Sequence, residues 1–401
     1  MEQHSHMSEK IPDPKKEKIE YIVFIAAIIG LSLFVRAFGF NFISADYNLF
    51  LKPWYEEIAS LGGFRALNTQ VGNYSILYQM FIAFFTYLNI NPLYCYKALS
   101  VAFDFLLTVG VFKLISDFKP AAAPYKLFFH SCIACLLLPA VFLNSSYWGQ
   151  CDAIYVAFIV WALYFFRKER YTAAFIMLGL SFSFKLQVIF ILPFVVYYCW
   201  FRKKIEIIKL AIIPLVGFII SLPAVLMGRP WYEFINIYAS QSDYYRFMTF
   251  NAPNVWEIYQ SNYDNMKIPA LLITFAILGV GLLFVMLRKI RLDDPEIYMA
   301  LAAWSAWTCV MFLPAMHERY FFIVDIMMLI LMLVAPKRYI IFFLAEETIS
   351  FVVTYLFTLF WVEIDLVAWS WANVILYVAF TVAVTINVIK KNREEEQVVP
   401  A

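Results

Sequence analysis

From residue 21 to residue 389 the chain alternates apolar runs with short polar connections, and each run has to be kept out of water. A hydrocarbon crossing takes roughly 20 apolar residues as a helix, because only a helix or a closed barrel satisfies its own backbone in lipid. The runs near 21–35, 93–116, 126–143, 153–167, 171–186, 187–201, 205–227, 268–288, 296–315, 319–335, 338–360 and 367–389 predict an all-α polytopic membrane protein of about twelve helices. Composition agrees: 63% of the 401 residues are apolar and 15% are charged, against about 45–50% and 25% in soluble domains. A water-soluble enzyme is excluded, and there is no room for a second soluble domain. Tyr74–Leu88 is aromatic but short, so it reads as an interfacial helix in the first outer loop. A net charge of +2 offers no field for nucleic acid. The six cysteines lie scattered and form no disulfide framework, and Cys132 and Cys135, inside an apolar run, read as helix packing.

Basic residues set the orientation. With both termini inside, 22 of the 31 Lys and Arg fall on the cytoplasmic side, as the positive-inside rule requires. Residues 1–18 and 391–401 are then cytoplasmic tails, and 19–390 form a single transmembrane domain with outer loops at 41–92 and 228–267. The first run has no cleavage pattern behind it and reads as a retained span. The inner loops carry no glycine-rich phosphate loop and no dinucleotide fingerprint, so any chemistry faces outward. No internal repeat is visible, which argues against a carrier built from repeated halves.

Ionisable residues near the outer half of the membrane are costly, and each is a functional candidate. Asp46 follows the first run; it is an interfacial carboxylate or a working one. Asp152 closes the stretch from Asn144 through Gln150 and suits both a helix cap and a binding group. Lys185 and Gln187 lie at the tip of a hairpin bracketed by Arg170 and Arg202. Its arms of about 16 residues reach roughly 24 Å against a core of about 30 Å. Lys185 should therefore stop below the interface and need a counter-anion or a wet cavity, unless it snorkels to water. His317, Glu318 and Arg319 stand between two apolar runs and suit a polyanion, Arg319 through its planar fork; the alternative is a self-neutralised Glu318–Arg319 pair. Position 321 is Phe, so the His-Glu-x-x-His pattern is absent and no metal site is predicted. In the second outer loop Asp243, Arg246, Asn251, Asn254 and Trp256 mix charge, amides and aromatics, as a sugar site or an ordinary interfacial loop would.

In chain order, Asp46 followed by Phe50-Leu51-Lys52-Pro53-Trp54, then Trp148-Gly149-Gln150-x-Asp152, Phe184-Lys185-x-Gln187, Asn251-Ala252-x-Asn254-x-Trp256 and His317-Glu318-Arg319-Tyr320 resemble the GT-C class of integral-membrane glycosyltransferases. The branch is similar to the second mannosyltransferase of GPI-anchor synthesis and to dolichyl-phosphate-glucose glucosyltransferases. The resemblance implies transfer of mannose or another hexose, with inversion, from a polyprenyl-phosphate donor to a glycan or glycolipid acceptor outside the cytoplasm. It makes Asp46 the general base. Arg319, His317, Lys185 and Arg246 would meet the donor phosphate; Gln150, Asp152, Gln187, Asn254 and Glu318 would hold or position sugar and acceptor. No cofactor is expected, with a divalent cation left open. The minimal loops favour a prokaryotic cell membrane. The rivals are a transporter or flippase of a lipid-linked saccharide, which needs no base, and a non-catalytic partner of a membrane polymerase.

Overall fold

A computed structural model describes residues 14–202, 207–244 and 246–398. Residues 1–13 of the expected tail, Lys203, Lys204 and the Asp243 side chain lie outside that description. The helices are α1 (Pro14–Gly39), α2 (Lys52–Ser60), α3 (Ile76–Phe85), α4 (Pro92–Phe118), α5 (Pro124–Leu136), α6 (Pro139–Phe142), α7 (Asp152–Arg167), α8 (Tyr171–Phe184) and α9 (Leu192–Arg202). There follow α10 (Ile212–Leu226), α11 (Glu233–Tyr244), α12 (Val255–Ile258), α13 (Tyr263–Leu287), α14 (Pro295–Phe312), α15 (Phe322–Val334), α16 (Pro336–Ser350) and α17 (Leu366–Val398). Prolines open α4, α5, α6, α14 and α16 at a position whose N–H has no intrahelical partner. Side-chain caps from Ser75 and Asn262 start α3 and α13, and those from Asn91 and Asp294 add to the prolines of α4 and α14.

Among the described residues each of the twelve apolar runs is largely helical, but they differ in length. Among the described residues six helices are long and apolar enough to cross a membrane: Pro14–Gly39, Pro92–Phe118, Ile208–Leu226, Tyr263–Leu287, Pro336–Leu359 and Leu366–Glu394. A seventh is added if Pro124–Leu136 and Pro139–Trp148, bent by 59° at their junction, count as one. The remaining runs are shorter helices, α7 with 16 residues and α8 with 14, in part because Lys185 breaks the helix at the hairpin tip. The expected short helix over 74–88 forms as α3, beside α2 in the segment between α1 and α4.

Helices α7, α14 and α15 are buried along most of their length, with α7 against α4 and α8, and α15 against α14 and α16. By contrast α1, α13 and α17 turn rows of large apolar side chains outward, such as Trp371, Ile375, Val378, Val382 and Ile386. In water such rows would aggregate; in lipid they are the solvated surface.

Two buried cations fix the end of α1, from which Asp46 hangs. Arg36 pairs with Asp104 of α4 at 2.9 Å and donates to the Leu136 carbonyl at 2.8 Å. Lys97 donates to the carbonyls of Gly39 and Phe42 at 2.6 and 2.5 Å, placing positive charge at the negative end of the helix. Gly39 cannot carry a side chain, since a Cβ there would stand 2.4 Å from the Tyr147 ring. Two short strands, β1 (Thr249–Phe250) and β2 (Met316–His317), pair in parallel and bring the segment between α11 and α12 onto His317. Residues 47–51, 143–148 and 351–359 wind as π-helix, a distortion frequent at functional sites.

Candidate functional site

The first of these distorted turns, through Phe50 and Leu51, lines a cavity of about 340 Å³. Its wall is mostly apolar, with Phe50, Trp54, Phe190 and Tyr320, and a few polar groups converge on it: Asp46, Gln150, Lys185, Gln187, His317 and Arg319. Such a combination of apolar wall and convergent polar groups is the usual character of a ligand site.

Asp46 is the most densely bonded group. Its Oδ2 accepts from Arg319 Nη1 at 2.8 Å, Gln150 Nε2 at 2.5 Å and Trp148 Nε1 at 3.1 Å. The partners are themselves held: Ser44 Oγ donates to the Trp148 carbonyl, Ser100 Oγ to that of Gln150, and Gly149 makes the left-handed turn between them at φ +77. At 25% side-chain exposure the carboxylate is more open than Arg319, at 14%, and both line the cavity.

Lys185 is buried, ion-paired with Asp152 and placed on the cavity wall. Its ammonium also sits 5.5 Å from the Tyr320 ring centre. Asp152 stands behind the wall and accepts from Asn144 Nδ2 at 3.0 Å. Burial, with Arg319 and Lys185 nearby, holds the His317 imidazole well below its usual range, so it is neutral. It can donate a single ring N–H while Phe250 and Tyr320 flank it. Glu318 points away from the cavity, where burial pushes its carboxyl up to about 7 against the opposing pull of Arg319.

Asp46, Gln150, Lys185, Gln187, His317 and Arg319 are thus brought together, with Asp152 and Glu318 one layer behind. Arg246 and Asn254 are not. Arg246 pairs with Asp264 on the exposed top of α13. Asn254 is fully buried as the cap of α12, its Oδ1 accepting from Trp256 N and its Nδ2 donating to the Val310 carbonyl at 3.2 Å. Other lining residues were not singled out from the sequence, among them Tyr74, Gln241, Tyr263 and Lys267. Lys267 opens an apolar run, where a lysine reads as an ordinary interfacial anchor. Trp148 lay within a quoted motif, but its indole N–H is useful only because Asp46 stands opposite it.

The family model of glycosyltransferase family 87 matches residues 74–336, about two thirds of the chain. That stretch holds every polar group of the cavity named above except Asp46. No curated protein and no solved structure matches.

Proposed function

Because the chain belongs to glycosyltransferase family 87, a family of GT-C type, we propose that it transfers a hexose from a polyprenyl-phosphate donor to a hydroxyl of a glycan or glycolipid. The observation that carries this reading is Asp46 bonded to Arg319 on the wall of a cavity that also holds Lys185. A carboxylate held on the cavity wall by hydrogen bonds can take the proton of an attacking hydroxyl. The acceptor oxygen then bonds the anomeric carbon as the bond to the phosphate oxygen breaks, with inversion, and the electron pair leaves on the phosphate. The charge developing there needs fixed cations. Arg319 and Lys185 supply them, and neutral His317 adds a hydrogen bond.

Both cations begin paired to carboxylates, Arg319 to Asp46 and Lys185 to Asp152. An arriving phosphate competes for Arg319, so donor binding loosens Asp46 at the step where it becomes the base. Gln150 and Trp148 keep the carboxylate in place meanwhile. Gln187, on the same wall, is available to sugar hydroxyls.

The basic loops support an orientation with both termini in the cytoplasm, in which the long helices cross and the shorter ones complete a bundle of about twelve and the cavity faces outward on the cell membrane. A nucleotide sugar is cytosolic, so an outward site calls for a lipid-carried donor. A carrier of the same lipid would use the cations but no base. The test is purified protein in nanodiscs given a panel of polyprenyl-phosphate sugars with acceptor glycolipids. Consumption of one donor with glycosylation of an acceptor supports the proposal; movement of the lipid across the bilayer with no sugar transferred supports the carrier.

A further inference from the structure

Beneath the cavity, α15 and α16 press three carboxylates together. Asp325, Glu346 and Glu347 are 1%, 1% and 8% exposed, and each offers an oxygen within 4.8 Å of the others. Asp325 accepts from Ser350 Oγ at 3.1 Å and Glu347 from the Ala140 N–H at 3.3 Å. Glu346 is different. Neither of its buried oxygens accepts from an N–H or a hydroxyl, nor do Asp325 Oδ1 and Glu347 Oε2, and the one side-chain hydrogen bond of Glu346 lies within the triad, to Asp325. Among the described residues no Lys, Arg or His pairs with any of the three. Three adjacent buried carboxyl groups cannot all remain ionised without a compensating positive charge, and an unpaired carboxylate in an apolar interior is among the costliest groups to bury.

We infer that these residues bind one divalent cation of calcium size, with a proton shared within the triad meeting the third charge. All-carboxylate oxygen donors select a hard cation. Ca²⁺ holds its ligands at about 2.3–2.6 Å, so two of them can stand up to about 5 Å apart, whereas Mg²⁺ at about 2.0–2.1 Å spans only about 4 Å. Separations of at most 4.8 Å lie within the reach of the larger ion.

The site has a place in the architecture. Asp325 follows Arg319 by six residues, and Glu347 reaches Ala140 at the foot of the turn that carries Trp148. Tyr355 donates to the Ala140 carbonyl at 2.7 Å and packs on the Trp148 ring, while Thr354 Oγ1 donates to the Glu318 carbonyl. An ion here would tie together the two segments that supply Asp46 with Arg319 and Trp148, making its ligands positioning residues.

The inference does not rest on the glycosyltransferase reading, and its test needs no donor sugar. Protein purified in chelator and placed in neutral-lipid nanodiscs is titrated with ⁴⁵Ca²⁺ by equilibrium dialysis, and its melting temperature is followed with CaCl₂ or EDTA. The expected result is about one ion bound per chain and a melting temperature several degrees higher in saturating calcium, because a ligand that binds only the folded state stabilises it. Both effects should vanish in Glu346→Gln, which keeps the shape but loses the charge. No ⁴⁵Ca²⁺ binding by wild type overturns the inference whether or not the variant folds. So does equal binding by Glu346→Gln, or a wild type whose melting responds to pH alone, the signature of a fully protonated triad.

Discussion

Arg319 is the residue on which base and phosphate sites meet, and its removal should damage both. In Arg319→Ala the Asp46 carboxylate keeps Gln150 and Trp148 but loses its one charged donor, at 2.8 Å. The donor phosphate loses a planar fork. A charge-assisted hydrogen bond is worth about 1.5–3 kcal/mol, or roughly 10- to 150-fold at 1.4 kcal/mol per decade. Transfer efficiency, kcat/KM, should therefore fall by about that factor for each role, and more when both are lost. Arg319→Lys should restore little, since an ammonium cannot span Asp46 and a phosphate oxygen together. The assay is transfer of radiolabelled sugar in nanodiscs, with donor affinity measured separately and folding checked by melting. Wild-type affinity and turnover in a folded Arg319→Ala would refute the reasoning and return the residue to a structural role.

Breaking the buried Lys185–Asp152 pair from one side should cost about 3–5 kcal/mol of stability, whereas replacing both partners by apolar residues should recover much of it; a Lys185→Met, Asp152→Leu double variant that melts near wild type yet uses no donor would assign the pair to function. The raised Glu318 carboxyl, about 7 against an unfolded value near 4.5, keeps its proton in the folded state where the unfolded chain has lost it. Stability should accordingly fall as pH rises from about 4.5 to 7 and level off above, and melting curves of wild type and Glu318→Gln should converge at the acid end and separate across that window, with parallel curves counting against it. A cysteine at exposed Trp231 should react with an impermeant maleimide in intact cells, and one at exposed Arg291 only after permeabilisation; the reverse pattern would invert the orientation.

The apolar runs made the helices legible, because burial of backbone in lipid leaves little choice of structure. Their lengths were less so. Whether a run of 14 to 18 residues crosses alone or packs inside a bundle depends on neighbours, and α7 and α15 are buried in protein, not lipid. At the site, hairpin length pointed to Lys185 as needing a counter-anion or a wet cavity, and the side chain is buried and paired with Asp152. Asn254 and Arg246 could not be separated from true lining residues, since a buried helix cap and an exposed ion pair use the same residue types as a sugar site. Glu346 and Glu347 did carry a signal, two acids inside an apolar run, but the sequence does not show that Asp325 on the preceding helix meets them.

The most direct test of the account is Asp46→Asn, measured for sugar transfer and donor binding in one preparation. The amide keeps the size of the carboxylate but cannot take a proton, so transfer should drop by roughly 10²–10⁴-fold. Donor binding should persist or tighten, because Arg319 no longer divides its charge between Asp46 and phosphate. Near-normal transfer by a well-folded Asp46→Asn would contradict the central claim and remove Asp46 as the base.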